Sequence, residues 1–339
     1  MKRPLFILAA FAQLAVLAFM AGEREWIARM GTRVLLRTAP IDPYDPMRGA
    51  YVRLDYDMSV VPRTLCGEAL QPWFTAGNAP KDAIVYAALS VSEDGLAELA
   101  RLDATPPESG PFLRGRVGYL FNDTIHVRYG IEAFFMQQDK ALALEREMFG
   151  ERRGSLLEVE ARVSDRGIAV LLDYTWEPLG ITLEFERAEP VESEMRFRRE
   201  VVAVTAVLKN HGEAPVAIVD RPDAGSFRLV RNQRLPMSGY SWVGADSPPA
   251  PASADDVRVL APGTEHRVRI DLANPEWFVV PEQGGAPISI TSLAQNWNAS
   301  FRVEYAPPTS AELARLPDSP AQQRRPLRSA AFTPGGAVD

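Results

Sequence analysis

Polar and apolar positions alternate differently in four stretches of the chain. Residues 5–22 form a run of 18 with one polar side chain, Gln13. As a helix it spans roughly 27 Å at ~1.5 Å per residue, close to the ~30 Å hydrocarbon core of a bilayer. Lys2 and Arg3 precede it, which keeps the N-terminus in the cytoplasm by the positive-inside rule. The run ends Ala18-Phe19-Met20-Ala21-Gly22, a poor match to the small-residue spacing of a signal cleavage site. An uncleaved anchor over residues 1–28 is therefore expected, with one crossing and everything after Glu23 outside.

Residues 29–188 read as a β-rich domain with one short helix. Residues 33–37 make a short apolar strand and lead into a loop with Pro40, Pro43 and Pro46. Each proline fixes φ and removes a donor, so neither a helix nor a central strand runs through. Beyond Gly49, residues 51–58 alternate: Val52, Leu54, Tyr56 and Met58 share one face, with Tyr51, Arg53, Asp55 and Asp57 opposite. This is the period of a half-buried strand. Further strands are expected over 83–91, 112–119, 124–129, 156–163 and 168–174, the last two joined by Ser164-Asp165-Arg166-Gly167, a hairpin signal. Residues 139–149 have helix-forming composition.

Short strands return after a charged hinge over 186–194. Residues 199–208, 216–219, 227–230, 257–260, 266–272 and 301–305 are separated by Pro-, Gly- and Asn-rich loops. This spacing predicts an immunoglobulin-like β-sandwich over 189–306. From Pro307 to Asp339, Pro, Ala, Ser and Arg dominate, and a disordered tail is expected. The fold class is thus mainly β: an N-terminal transmembrane helix, a β-rich domain, then the sandwich.

Composition narrows the function classes. Of 339 residues, 37 are Lys or Arg and 44 Asp or Glu, a net charge of −7, which argues against nucleic acid as the main partner. One cysteine, Cys66, excludes an intrachain disulfide and a multi-Cys metal site. Three histidines leave little room for a histidine-based metal site, and no cofactor is expected. Only 4 of the 37 basic residues are Lys, a bias suggestive of a GC-rich bacterial genome. With the anchor, this places the protein in a bacterial inner membrane, with its bulk in the periplasm.

The run from Pro40 to Tyr56, P-I-D-P-Y-D-P-M-R-G-A-Y-V-R-L-D-Y, resembles the signature of the GDYXXLXY family of bacterial membrane-anchored proteins. Gly49, Tyr51, Leu54 and Tyr56 match the name-giving positions, and Asp42, Asp45 and Arg48 match the preceding spacing. The chain departs at Ala50, where the family has Asp. A second block, Phe112-Leu113-Arg114-Gly115-Arg116 and Tyr129-Gly130-Ile131-Glu132-Ala133-Phe134-Phe135, is similar to the family's later strands. There Gln137-Gln138-Asp139-Lys140 replaces the family's Pro-Glu-Gly-Lys-like turn. The resemblance covers residues 1–187. It implies an accessory or assembly role beside another membrane protein, and in some family descriptions regulation of a polysaccharide-degrading enzyme.

The candidate interaction residues are Asp42, Asp45, Arg48, Gly49, Tyr51, Leu54, Tyr56, Tyr129 and Glu132. One reading makes the aspartates and Arg48 a carboxylate–guanidinium site that captures a partner. The plainer reading has them capping turns and pairing with each other. Glu132 with His126 would be an acid/base pair only if the fold brings them together. Cys66 reads as a partly buried thiol. Trp73, Trp176, Trp242, Trp277 and Trp297 read as packing residues or as a glycan-stacking platform. No phosphate-binding loop, dinucleotide fingerprint or nucleophile elbow is present. The expectation is a non-enzymatic accessory protein that binds the membrane and another envelope protein. Glycan binding and an uncharacterised hydrolase are the alternatives.

Overall fold

The computed structural model describes residues 2–39, 51–121, 123–147, 150, 152, 154–187, 201–231, 242–244, 251–272, 277–281, 286–293, 300–316, 322–334 and 336–337. The described chain is mainly β. It divides into two compact units, Met1–Leu142 with Leu157–Thr175, and Ala143–Leu156 with Trp176–Asp339.

The first unit opens with helix α1 (Lys2–Met30), followed by strands β1 (Thr32–Ala39), β2 (Tyr51–Arg53), β3 (Asp55–Tyr56) and β4 (Val60–Pro62). Helix α2 (Gln71–Ala76) precedes β5 (Ile84–Val91), β6 (Leu96–Asp103), β7 (Phe112–Phe121), β8 (Thr124–Arg128) and β9 (Ala133–Phe135). Helix α3 (Gln138–Arg146) forms where helix-forming composition predicts one. Then come β10 (Ser155–Val163) and β11 (Ala169–Arg187), and the divisions between the units fall inside α3, β10 and β11.

In this unit the strands lie in the order β11-β10-β1-β6-β5-β7-β8-β4, with β3 also on β1. β1 and β6 run parallel. The pairs β1–β10, β5–β6, β5–β7, β7–β8 and β4–β8 are antiparallel. The turn from β10 to β11 needs Gly167. Its φ is +74°, and a Cβ there would lie 2.6 Å from the Phe112 ring. Strand β6 was not anticipated from its sequence, L-A-E-L-A-R-L-D. Its residues are good helix formers, and pairing on both sides overrides that preference. Among the described residues no helix is long and apolar enough to cross a membrane. The side chains of residues 2–7 and 9 of α1 are not among those described.

The second unit contains the remainder of β11 and β12 (Val201–Asn210), β13 (Val216–Val219), β14 (Phe227–Arg231), β15 (Trp242–Gly244), β16 (Val257–Leu260) and β17 (Glu265–Asp271). Strands β18 (Phe278–Pro281), β19 (Ile288–Ser289) and β20 (Phe301–Tyr305) follow. Its sheets run β17-β12-β11, β13-β16 and β15-β18-β19. One core includes Val204, Leu208, Ile218, Trp277, Phe301 and Tyr305. Asn210, fully buried, organises the turn after β12. Its amide donates to Ala214 O and Leu260 O, and its oxygen accepts from Gly212 N.

The expectation of a disordered tail after 307 is overturned. Helix α4 (Ser310–Leu313) forms here, and the two-residue strands β21 (Leu327–Arg328), β22 (Phe332–Thr333) and β23 (Gly336–Ala337) extend the sheet β14-β20-β22-β23, with β21 also on β20. Leu327 and Phe332 are buried in the core. Two apolar side chains thus enter the core from a stretch whose average composition resembles a linker.

A buried ion pair ties this segment down. Arg221, with 2% exposure, donates to Glu312 Oε1 at 3.0 Å. Glu312 also accepts from Ala252 N and, as partner in the α4 cap, from Thr309 N. Burial alone would raise the Glu312 carboxyl. The hydrogen bonds from Thr309, Ala252 and Arg221 outweigh it and hold the group at about 2, below its ordinary 4.5. The folded carboxyl binds its proton more weakly than the unfolded one, so this stabilisation is complete above the ordinary value and is lost as pH falls toward 2. Thermal melts of the full chain followed by circular dichroism between pH 7 and 2 are expected to show that loss. Glu312→Gln is expected to melt lower at pH 7 and to fall less between pH 4.5 and 2. An unchanged slope would remove Glu312 as the cause.

Candidate functional site

The two sequence blocks singled out above meet in the first unit. As their alternation predicts, Val52, Leu54, Tyr56 and Met58 are all buried. The strand they form is nevertheless split, because its hydrogen-bond partner changes partway. Tyr51, Val52 and Arg53 pair with Phe135, Phe134 and Ala133 of β9. Leu54 N then donates to Glu132 O at 2.8 Å. Asp55 and Tyr56 pair with Ala39 and Thr38 of β1. The signature therefore hands the chain from the second block to the first strand.

Two phenols fasten this crossing reciprocally. Tyr56 Oη donates to Ile131 O at 2.7 Å, and Tyr129 Oη donates to Met58 O at 2.8 Å. Each block thus supplies a side-chain donor to the other block's backbone. Glu132 holds the turn between them. Its carboxylate accepts from Tyr129 N at 2.5 Å and Gly130 N at 2.9 Å. Gly130 has φ +78°, a left-handed conformation suited to glycine.

The electrostatics oppose acid–base work by the phenols. Burial first, then the negative charges of Glu132 and Asp55, pushes the Tyr56 hydroxyl far up. Tyr129 is raised by burial and then by Glu132 and Cys66. A general acid or base needs a pKa near the working pH, so these groups serve as fixed hydrogen-bond donors. The described contacts do not bring Glu132 and His126 together as an acid/base pair. Glu132 is engaged by the turn, and the His126 ring stacks on Tyr119 with centroids 4.0 Å apart.

Asp42, Asp45, Arg48 and Gly49 lie outside the described residues, and Tyr51 is described in its backbone alone. The described residues on either side of positions 40–50 are fixed, Ala39 by Asp55 and Tyr51 by Phe135. On β1, Arg37 faces Glu158, 3.9 Å away, with side chains 9% and 3% exposed. Among the described residues Arg37 Nε and Nη2 have no hydrogen-bond partner. This pair escaped the sequence reading, since Arg37 looks like the polar end of a short strand. Only the register of β1 on β10, which sets Arg37 opposite Glu158, reveals it.

The other candidates have local uses. Trp176 Nε1 donates to Glu147 at 2.7 Å and its ring lies under Arg152, while Trp277 is buried in the second core. Trp297 is outside the described residues and Trp242 is described in its backbone alone. Cys66 is buried, its Sγ–H donates to Pro62 O, and burial, then Asp103, raises its thiol to about 12. His266 Nε2 lies 2.7 Å from Asp220 Oδ2. Among the described residues no group of three or more His, Cys, Asp or Glu is arranged to hold a metal ion.

Compared with known families, residues 13–173 match the model described as GDYXXLXY protein. No curated protein and no solved structure matches the chain.

The geometry makes the signature tyrosines a matter of stability. Tyr56→Phe and Tyr129→Phe each leave a buried carbonyl without its donor and are expected to cost about 1–3 kcal/mol. Urea unfolding of the full chain measures this. Midpoints unchanged from the wild type would show that the two hydroxyls do not fasten the crossing.

Proposed function

With residues 13–173 a GDYXXLXY domain, we propose that the protein is a single-pass, membrane-anchored accessory protein of the bacterial envelope. In this reading it uses the loop over residues 40–50 to bind another envelope protein and catalyses no reaction. The observation that carries the reading is the surface of α1. Leu8, Phe11, Leu14, Val16, Leu17, Phe19 and Met20 are 56–70% exposed. At 100° per residue these positions surround the helix. A helix that is apolar all round belongs in a protein core or in a bilayer, and among the described residues nothing covers this one. The run over residues 5–22 has the length for one crossing. Lys2 and Arg3 favour an N-terminus in the cytoplasm, which puts the β-rich bulk in the periplasm.

The interaction part of the reading rests on the crossing at Tyr56 and Tyr129. Its polar groups are satisfied internally, so it is suited to holding rather than reacting. What it holds is Ala39 and Tyr51, the two described ends of the segment that carries Asp42, Asp45 and Arg48. For the C-terminal unit we keep the immunoglobulin-like reading as a second interaction module. A glycan ligand is favoured by one observation, the Tyr119 ring. It is 50% exposed and stacked on His126, an orientation suited to packing against a sugar face.

Two measurements bear on the proposal. The full chain is expected to stay in the membrane pellet after alkaline carbonate, and deletion of residues 2–22 to release it. In-cell crosslinking of the full chain is expected to recover a stoichiometric envelope protein, with recovery falling about tenfold in Arg48→Ala, as for loss of one charged anchor contact. Recovery of the protein alone would overturn the partner reading. Retention of a defined oligosaccharide that is lost in Tyr119→Ala would replace it with the glycan one.

A further inference from the structure

The junction between α1 and the β domain has no linker. The helix runs unbroken to Met30, and β1 begins at Thr32. Gly31 N still donates to Ile27 O at 2.8 Å, as in a helical turn. Ile27 is 3% exposed, buried in the domain. Gly31 fits only as glycine: a Cβ would lie 2.7 Å from Ile27 O and 3.0 Å from the Val163 backbone. Arg162 Nη1 donates to Gly31 O at 3.1 Å. One turn further back, Glu23 Oε1 is 3.7 Å from Arg166 Nη1, in the turn between β10 and β11. The burial of Ile27, the Glu23–Arg166 pair and the close fit of Gly31 against Arg162 and Val163 therefore hold the end of α1 to the end of the β1–β10 pair.

Depth follows from this rigidity. If residues 5–22 occupy the hydrocarbon core, Trp26 lies about 6 Å beyond Gly22 along the axis at ~1.5 Å per residue. That is headgroup depth, since the polar layers add roughly 5–7 Å on each side. Trp26 is 67% exposed and Met30 66%, although both adjoin the buried Ile27. An exposed tryptophan one turn past an apolar run matches the aromatic belt of membrane helices. Arg166 stands level with Glu23 and is 73% exposed along its side chain, and Arg24 is exposed too. Guanidinium groups at this level face lipid phosphates.

We propose that the β domain rests directly on the bilayer, with Trp26, Arg24 and the Arg166 turn seated in the phospholipid headgroup layer. This rests on α1 being a membrane anchor. The domain is then held at fixed height and orientation instead of swinging on a tether, and the surface it offers lipid is defined by the Glu23–Arg166 and Ile27 contacts.

Spin labels on the full chain in phosphatidylcholine–phosphatidylglycerol nanodiscs test it. Leu17→Cys reports on the anchor, and Asp165→Cys on the turn while leaving Arg166 in place. Buried Cys66, its thiol raised to about 12, does not compete for the label. The proposal expects the label at 17 to be shielded from a water-soluble nickel relaxant. It also expects relaxation at 165 to be about threefold weaker than in a variant with Gly-Ser-Gly-Ser inserted between Met30 and Gly31, because contact with the headgroups covers part of the turn that the tethered variant leaves open to the relaxant. Shielding at 17 with equal relaxation at 165 in both proteins would leave the anchor and overturn the docking. Full relaxation at 17 would overturn both.

Discussion

The first unit depends on a backbone problem and its solution. The segment after β2 leaves one strand partner and takes another within three residues. At such a handover, peptide groups lose ladder partners inside a core where water does not replace them. Tyr56 and Tyr129 meet the need from opposite sides, each carrying a hydroxyl through apolar surroundings to a carbonyl of the other segment. Glu132 does the same for two amides of the intervening turn. Removing these groups leaves buried polar atoms unsatisfied, which is costlier than losing an ordinary contact. The same fastening fixes Ala39 and Tyr51, the described residues on either side of positions 40–50.

Much of this architecture was visible in the residues, for a definite reason. Strands with one buried face declare themselves by alternation, and the 51–58 segment showed which side chains point inward. Hairpins declare themselves through turns such as Ser164–Gly167, where a left-handed glycine is required. The failures share a cause as well. Strand β6 is written in helix-forming residues, and only its neighbours make it a strand. The stretch around Leu327 and Phe332 looks like a linker on average, yet two of its side chains enter the core. The facing of Arg37 and Glu158 depends on strand register, which no local pattern contains.

The candidate site divides along the same line. Its tyrosines and Glu132 were identifiable as a group from the two motif blocks, but not their use. A tyrosine near a glutamate on paper is as consistent with proton transfer as with scaffolding. Burial and the direction of each hydroxyl separate the two, and both follow from long-range packing. In this chain the motif residues that are described serve as structure.

The second unit has a consequence for how the chain matures. Phe332 packs in the same core as Phe301, and β22 pairs with β20. That core stays open on one side until Phe332 has been synthesised. The strands of the first unit, in contrast, find their partners among residues that precede Arg187. The two halves therefore mature on different schedules. The first can close while synthesis continues, and the second waits with apolar strands uncovered. This interval is where a chaperone would have most to do.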